Sequence, residues 1–437
     1  MPVPFSSPAP ITASASAPRL RLDYLDGLRG LAALYVVLHH AYYGLTQEAV
    51  LPSTVARLTY WLFLGRSAVD IFIVLSGYCL MIPVVRAGTG LLPGGILDFV
   101  RRRARRILPP FYAALVLCLL AIAFVPALHS AQGGSLWATA LPAWSPDVLL
   151  SHVLLIHNFD PRWHSKIDYP MWSVATEWQI YFLFPLLLLP VRRRLGLWAM
   201  LLTAFVVGLV PLALFFGRFS GVASHFLGLF ALGMAGAEIN FSPNASLASW
   251  REKLPWGVMA GGLAALIGIL SLKHLDWSLF LAVKDIVVGA MTACLLIFCT
   301  RHLTQAHAAQ NGRADSHFSA RPAPRVLRLF ELRAAVALGA FSYSLYLVHA
   351  PILAVCQSAL RPMHLLPTVT LALMLGIAVP IAVAGSYLFH LVFERPFLTR
   401  RAVANKSTGR VRWYAPWRGA QETTPPLEPA SGKPHSL

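Results

Sequence analysis

Ten stretches of about 20 mostly apolar residues run through this chain, at 28–46, 67–86, 107–126, 172–190, 196–216, 221–240, 255–273, 279–300, 335–357 and 368–393. Each is long enough to cross the hydrocarbon core of a bilayer as a helix. A soluble fold cannot place so many such runs, because water would have to be kept off every one of them. Composition agrees: 57% of the 437 residues are hydrophobic and 12% are charged, against roughly 25% charged in ordinary soluble domains. The expected fold is therefore all-α, a polytopic integral membrane bundle of about ten transmembrane helices. The least typical stretch is 221–240, Gly-rich and carrying His225; small residues of this kind let helix backbones approach closely.

The formal net charge of +18 raises the question of a nucleic-acid partner, and the placement of the charges answers it. Lys and Arg sit in the loops between apolar runs, with no basic stripe interleaved with aromatics, so no nucleic acid is expected. With ten spans and both termini cytoplasmic, 28 of the 36 basic residues fall on the cytoplasmic side and 7 on the other, Lys284 lying within a span. That asymmetry is the positive-inside signature. Residues 1–26 read as a disordered cytoplasmic segment without a cleavable signal peptide, 27–398 as the transmembrane domain, and 399–437 as a disordered basic, Pro-rich cytoplasmic tail. Residues 127–171 form a long external loop, and 301–330 a polar basic one. The expected location is the cell inner (plasma) membrane, multi-pass. The five cysteines, Cys79, Cys118, Cys294, Cys299 and Cys356, all lie in apolar segments at spacings unlike a metal knuckle or disulfide framework. No metal is expected.

Ionisable groups inside spans are costly and mark function. Here they are His40, Asp70, Glu177, His225, Lys284, Asp285, His349 and His390. Lys284 and Asp285 are adjacent, project to different helix faces, and read as packing partners of other spans. From Arg29 to His40 is 11 residues, about 16 Å and three helical turns, which places both side chains near one face. Arg29 then stands at the cytoplasmic boundary and His40 near mid-membrane. A neutral imidazole there can take a proton from a hydroxyl; the plainer reading is a buried, hydrogen-bonded histidine that fixes packing. His39 competes for the role from about 100° around the helix. Asp70 opens the second span and Glu177 the fourth, both at external ends, where a salt bridge is the plainer reading for Asp70. The run Arg101-Arg102-Arg103-Ala104-Arg105-Arg106 suits phosphate, with positive-inside anchoring as its alternative.

Five ordered blocks give these residues a context. They are Leu25-Asp26-Gly27-Leu28-Arg29-Gly30 continuing to His40; Val69-Asp70-Ile71-Phe72-Ile73-Val74-Leu75-Ser76-Gly77-Tyr78; Arg102-Arg103-Ala104-Arg105-Arg106-Ile107-Leu108-Pro109; Trp172-Ser173-Val174-Ala175-Thr176-Glu177-Trp178-Gln179-Ile180-Tyr181; and Gly339 to Pro351, with Glu394-Arg395-Pro396 closing the series. Together they resemble the acyltransferase 3 family of membrane O-acyltransferases, across nearly the whole membrane portion. The chain departs from the family pattern at Trp178, which replaces the second Glu of a Glu-Glu pair, and at Ala175-Thr176. The hydrolase-like C-terminal domain of some members is not expected here.

The resemblance implies transfer of an acyl group, acetyl in the common case, from cytoplasmic acyl-CoA to a hydroxyl of a carbohydrate, glycolipid or related acceptor. Acyl-CoA is then a co-substrate and no bound cofactor is expected. His40 is the implied general base, with Arg29 and Glu177 in the catalytic set. Arg102, Arg103 and Arg106 contact donor phosphates. Asp70, Ser76, Tyr78, Trp172, Ser173, Tyr343 and His349 shape the acceptor side, and Ser76 keeps a covalent route open. The competing expectation is a proton-coupled transporter or flippase of a lipid-linked sugar, with His40, Asp70 and Glu177 as its relay. Consumption of acyl-CoA separates the two.

Overall fold

In a computed structural model, residues 21–129, 135–214, 220–271, 278–310 and 323–398 are described, and every regular element among them is helical. The elements used below are α1 (Asp23–Thr46), α2 (Ser67–Ala87), α3 (Gly95–Phe124), α4 (Pro146–Val153), α5 (Trp172–Leu183), α6 (Leu189–Leu214), α7 (Phe226–Phe241), α8 (Ala245–Lys253), α9 (Trp256–Ser271), α10 (Ser278–Gln310), α11 (Ser342–Leu360) and α12 (Val379–Phe389). Of the expected tails, residues 1–20 of 1–26 and all of 399–437 lie outside the described residues, as does 311–322 of the expected basic loop, whereas 23–26, expected to be disordered, form the first turn of α1.

Six helical runs are long and apolar enough to cross a membrane, or seven if α8 and α9, bent by 66°, count as one. The sequence led to ten, and the difference has physical causes. Arg29, His39, His40 and four tyrosines dilute the apolar run of α1. The expected spans 172–190 and 196–216 merge into one run, Tyr169–Pro211, broken at Gly196, whose φ is 89°. At 16 residues α7 is shorter than a straight crossing requires. Large apolar side chains such as Leu120, Phe124, Leu202 and Val206 are exposed on the bundle's flanks, the arrangement a surrounding hydrocarbon solvent permits and water does not.

Glycines set the closest helix crossings. A Cβ at Gly27 would lie 1.7 Å from the Phe330 carbonyl oxygen, and one at Gly339 would lie 2.0 Å from that of Asp26. A Cβ at Gly77 would lie 2.0 Å from the Phe230 oxygen and one at Gly233 2.0 Å from the Val74 oxygen. Backbone thus rests on backbone between α1 and the 333–340 helix, and between α2 and α7. These contacts fix the height and rotation of Arg29 on α1 and of Ser76 and Tyr78 on α2.

The bundle has two chemically different ends. One gathers Arg86, Arg101–Arg106, Arg192–Arg194 and Arg251, tied by Arg192–Glu238 (2.6 Å) and Arg301–Glu252 (3.2 Å). The other carries the 135–171 segment, which is a packed cap rather than an open loop. Trp137, Ala140, Val148 and Ile167 are buried in it, and the Trp163 indole donates to Asp147 at 2.7 Å.

Candidate active site

α1, α5 and α11 bring most of the expected residues into two storeys. In the storey nearer the cap, His40 Nδ1 lies 2.7 Å from His349 Nε2, with the rings stacked at 5.0 Å and 7°. His349 Nδ1 lies 2.9 Å from the Leu345 carbonyl oxygen. A carbonyl only accepts, so His349 Nδ1 carries the hydrogen and its neutral Nε2 is an acceptor. His40 Nδ1–H therefore donates to it, which leaves the lone pair of His40 on Nε2. Tyr169 meets the His40 ring edge-on at 4.9 Å and 81°. His39 is occupied elsewhere: its Nδ1 donates to the Leu62 carbonyl at 2.9 Å, and its ring stacks on Tyr43. Both rings are packed against neighbouring elements, His39 against the 60–66 segment and His40 against α11.

His40 is not at mid-helix. It stands 17 residues along α1 from Asp23 and six before Thr46, so about 25 Å from one end and 9 Å from the other. Along α1 it is therefore nearer the cap than the basic end. Ser173 and Tyr346 belong to the same storey: their hydroxyls are 2.6 Å apart, and Tyr346 donates to the Pro170 carbonyl at 3.0 Å.

One helical turn along α5, Glu177 opens the second storey. It accepts from the Ser76 hydroxyl and from the Tyr181 hydroxyl, the latter at 2.6 Å. Arg103 lies within electrostatic reach of Glu177, Tyr181 and Arg106, and its Nε is buried without a hydrogen-bond partner. Tyr343 joins from α11, donating to the Ile107 carbonyl at 3.1 Å. Arg102 turns outward instead, to Asp98 and to the Pro93 carbonyl (3.2 Å). Arg29 pairs with Asp26 at 3.5 Å with 12% of its side chain exposed.

Three expected members of the acceptor side stand apart from His40. Tyr78 belongs to a buried network with Thr300 (2.7 Å) and Asn240 (2.8 Å), which Tyr24 also enters through Thr300. It joins α2, α7 and α10 at the basic end, away from His40. Asp70 has no ion pair within salt-bridge distance among the described residues; its carboxyl is buried beside that of Asp285, with Arg66 in electrostatic reach. Its neighbour Asp285 takes Arg66 at 3.4 Å and His225 at 2.9 Å. Trp172 stacks on His164 at 5.3 Å, with the Arg66 guanidinium 5.9 Å above its ring. Among the described residues no direct contact joins Asp70, Glu177 and His40.

The cap supplies titratable groups behind Tyr169. Asp168 is fully buried, and burial pushes its carboxyl well above the ordinary range. His152 and His157 stack at 4.0 Å and 6°. Burial lowers His152 and His164 to about 4 each, and lowers His157 as well, with the neighbouring His152 adding to it.

Tyr169, Tyr181, Tyr346 and Arg66 were not singled out from the sequence. Spacing held the signal for two of them: Tyr346 lies three residues from both Tyr343 and His349, and Tyr181 lies one turn from Glu177.

Comparison with known proteins places the chain in a family. The acyltransferase-domain family model matches residues 22–391, and the chain belongs to that family. It is 26% identical over 196 residues to the O-acetyltransferase OatA of Staphylococcus aureus, 44% of this chain and 29% of that protein. It is 32% identical over 184 residues to the acyltransferase MdmB of Streptomyces mycarofaciens, 40% and 42% of the two chains. It is 31% identical over 191 residues to the putative membrane-bound transacylase BcsY of Komagataeibacter xylinus, 40% of each. The matched segment thus spans less than half of each relative. No solved structure matches the chain.

Proposed function

From membership of this family we propose that the chain is a membrane O-acyltransferase, moving an acyl group, acetyl first among them, from acyl-CoA to a hydroxyl of a carbohydrate, glycolipid or related acceptor. The observation that carries the reading is the ordered chain Leu345 carbonyl, His349, His40. It presents one unprotonated imidazole nitrogen, His40 Nε2, in a bundle whose other end is lined with arginine.

The acceptor oxygen attacks the thioester carbonyl while its proton passes to His40 Nε2. The tetrahedral adduct collapses by breaking the C–S bond, and the departing thiolate takes that proton back, so no net proton is produced. The imidazolium formed on the way keeps its Nδ1–H on His349, which holds the ring as the third member of a hydrolase triad holds its histidine. General-base assistance of this kind contributes about 10²–10⁴ in rate. Arg103 and Arg106 hold the donor's diphosphate with Arg102 at the mouth, and Arg29 supports the donor from α1. Glu177 fixes Ser76 and Tyr181 at the storey the donor arm crosses. Trp172 and Ser173 face the acceptor from the cap side.

The membrane arrangement that suits this reading has ten crossings, α1 and α7 among them, both termini cytoplasmic, and the inner (plasma) membrane as the site. The reading is tested by CoA release from purified protein in nanodiscs given acetyl-CoA and a panel of glycan acceptors. Acceptor-dependent release that disappears in His40→Ala, with folding intact by gel filtration, is the expected outcome. Release that survives the substitution removes His40 from the base role.

A further inference from the structure

At the basic end, a cleft of about 590 Å³ opens between the 88–90 turn, the start of α6 and the α8 helix. Its lining includes Arg192, Arg193, Trp198 and Trp250, with Gly90 and Asn244 at the rim. The two arginines differ. Arg192 is committed to the buried Glu238, at 2.6 and 3.0 Å, and that pair also carries the wall: a Cβ at Gly90, whose φ is 68°, would sit 3.1 Å from the Arg192 guanidinium. Arg193 is exposed, with no ion pair or hydrogen bond among the described residues. Trp198 is 64% exposed, and its ring lies 5.4 Å from that of Trp250 at 55°.

Each feature taken singly has a plain explanation. A lone Trp at this level belongs to an interfacial belt, and a lone Arg to the positive-inside bias. A concave, mostly polar cleft that joins a free guanidinium to two indoles is what a heteroaromatic base with a phosphate requires. The indole face stacks on the base, and the guanidinium fork meets the phosphate.

Arg193 follows Glu177 by 16 residues in one helical run, about 24 Å along the axis, a span that an extended donor has to bridge from cleft to site. The 93–94 turn, against which Arg102 rests, follows the cleft's 88–90 turn directly in sequence.

We propose that this cleft docks the 3′-phosphoadenosine end of the acyl-CoA donor, with the adenine on Trp198 and the 3′-phosphate on Arg193. The diphosphate then continues toward Arg102, Arg103 and Arg106. The inference rests on the acyl-CoA reading above, and it adds a recognition site remote from the reacting carbonyl.

Two measurements on the full chain in nanodiscs separate the fate of the cleft from that of the function. Calorimetric titration with adenosine 3′,5′-bisphosphate needs no acceptor and no turnover. Binding by the wild type, weakened about 10-fold or more in Arg193→Glu and in Trp198→Ala and kept in Trp198→Phe, is expected. In turnover, the wild type is expected to favour acetyl-CoA over acetyl-3′-dephospho-CoA through KM, and Arg193→Ala to lose that preference with kcat within about twofold. Bisphosphate binding that depends on these residues, in a protein that transfers no acetyl group, retains the cleft and removes the function. Turnover in which neither variant changes binding or KM removes the cleft and retains the function. A wild type that does not bind the bisphosphate overturns the inference outright.

Discussion

His349 shows how much of the proposed base's behaviour is decided by the residue behind it. A neutral imidazole has two tautomers, and only one leaves Nε2 free to take a proton. The Leu345 carbonyl fixes the tautomer of His349, which in turn fixes that of His40. Replacing His349 by Ala releases this constraint without touching substrate, so kcat is expected to fall about 10- to 100-fold with KM for acyl-CoA unchanged. Gln at 349 offers a carbonyl to His40 Nδ1–H and is expected to restore most of the rate. Equal loss in the two variants would reduce His349 to packing. The sequence exposed His40 because Arg29 lies 11 residues before it, three turns away on the same helix. It could not show the dyad, because the partner is 309 positions distant and helical periodicity carries no information across such a gap. The direction in which Tyr78 points was hidden for a related reason. Its motif neighbour Ser76 faces Glu177, yet two positions on is about 200° around a helix, which turns Tyr78 to Asn240 and Thr300.

Elements were legible where periodicity and breakers agreed, and obscure where polar residues serve the site. Most apolar stretches became helices near their expected bounds, but α1 loses hydropathy to the very residues that give it a role. Close crossings make a sharp prediction about which glycines matter. Gly77→Ala drives a methyl against the Phe230 carbonyl, whereas Gly262→Ala on α9 meets nothing within 4 Å. The first is expected to lower the thermal midpoint in detergent. The second is expected to leave it unchanged or raise it, since Ala is favoured over Gly inside a helix by about 0.5–1 kcal/mol. Equal melts would mean that α2 and α7 are not packed backbone to backbone. The cap yields a pH prediction. His152, His157 and His164 have folded pKa values below the unfolded value of about 6.5, so below that pH the unfolded state binds more protons and stability falls as pH falls toward 4. Asp168 is raised, holds its proton when folded, and acts in the opposite direction over this window. Three groups outweigh one, so once the slowing of intrinsic amide exchange with falling pH is divided out, protection of peptides across 146–168 should fall between pH 6.5 and 4, and less so in His152→Gln. Protection that is unchanged over that window would show these histidines are not buried as neutral rings.

At the scale of the whole molecule, chemistry is divided between the ends. One end concentrates arginine around the 88–90 cleft and Arg102–Arg106; the other presents Tyr169, Trp172, Ser173 and the cap. His40 lies nearer the cap, so a donor entering from the basic end must extend most of the way through the bundle before its thioester meets the base. An acceptor on the far side then needs only a short approach. On the proposed reading, the enzyme would consume donor from one compartment and mark acceptor in the other, which a scrambled charge distribution would not specify. With the positive-inside bias pointing the basic end to the cytoplasm, sealed inside-out vesicles should consume externally added acetyl-CoA, and right-side-out vesicles should not until permeabilised. The acyl group should appear on acceptor enclosed in the lumen of the former. Equal consumption by both sealed preparations would mean that the donor reaches His40 from either face. The arginine-rich end would then be an anchor for topology alone, and the two storeys would have to be read as a single open site.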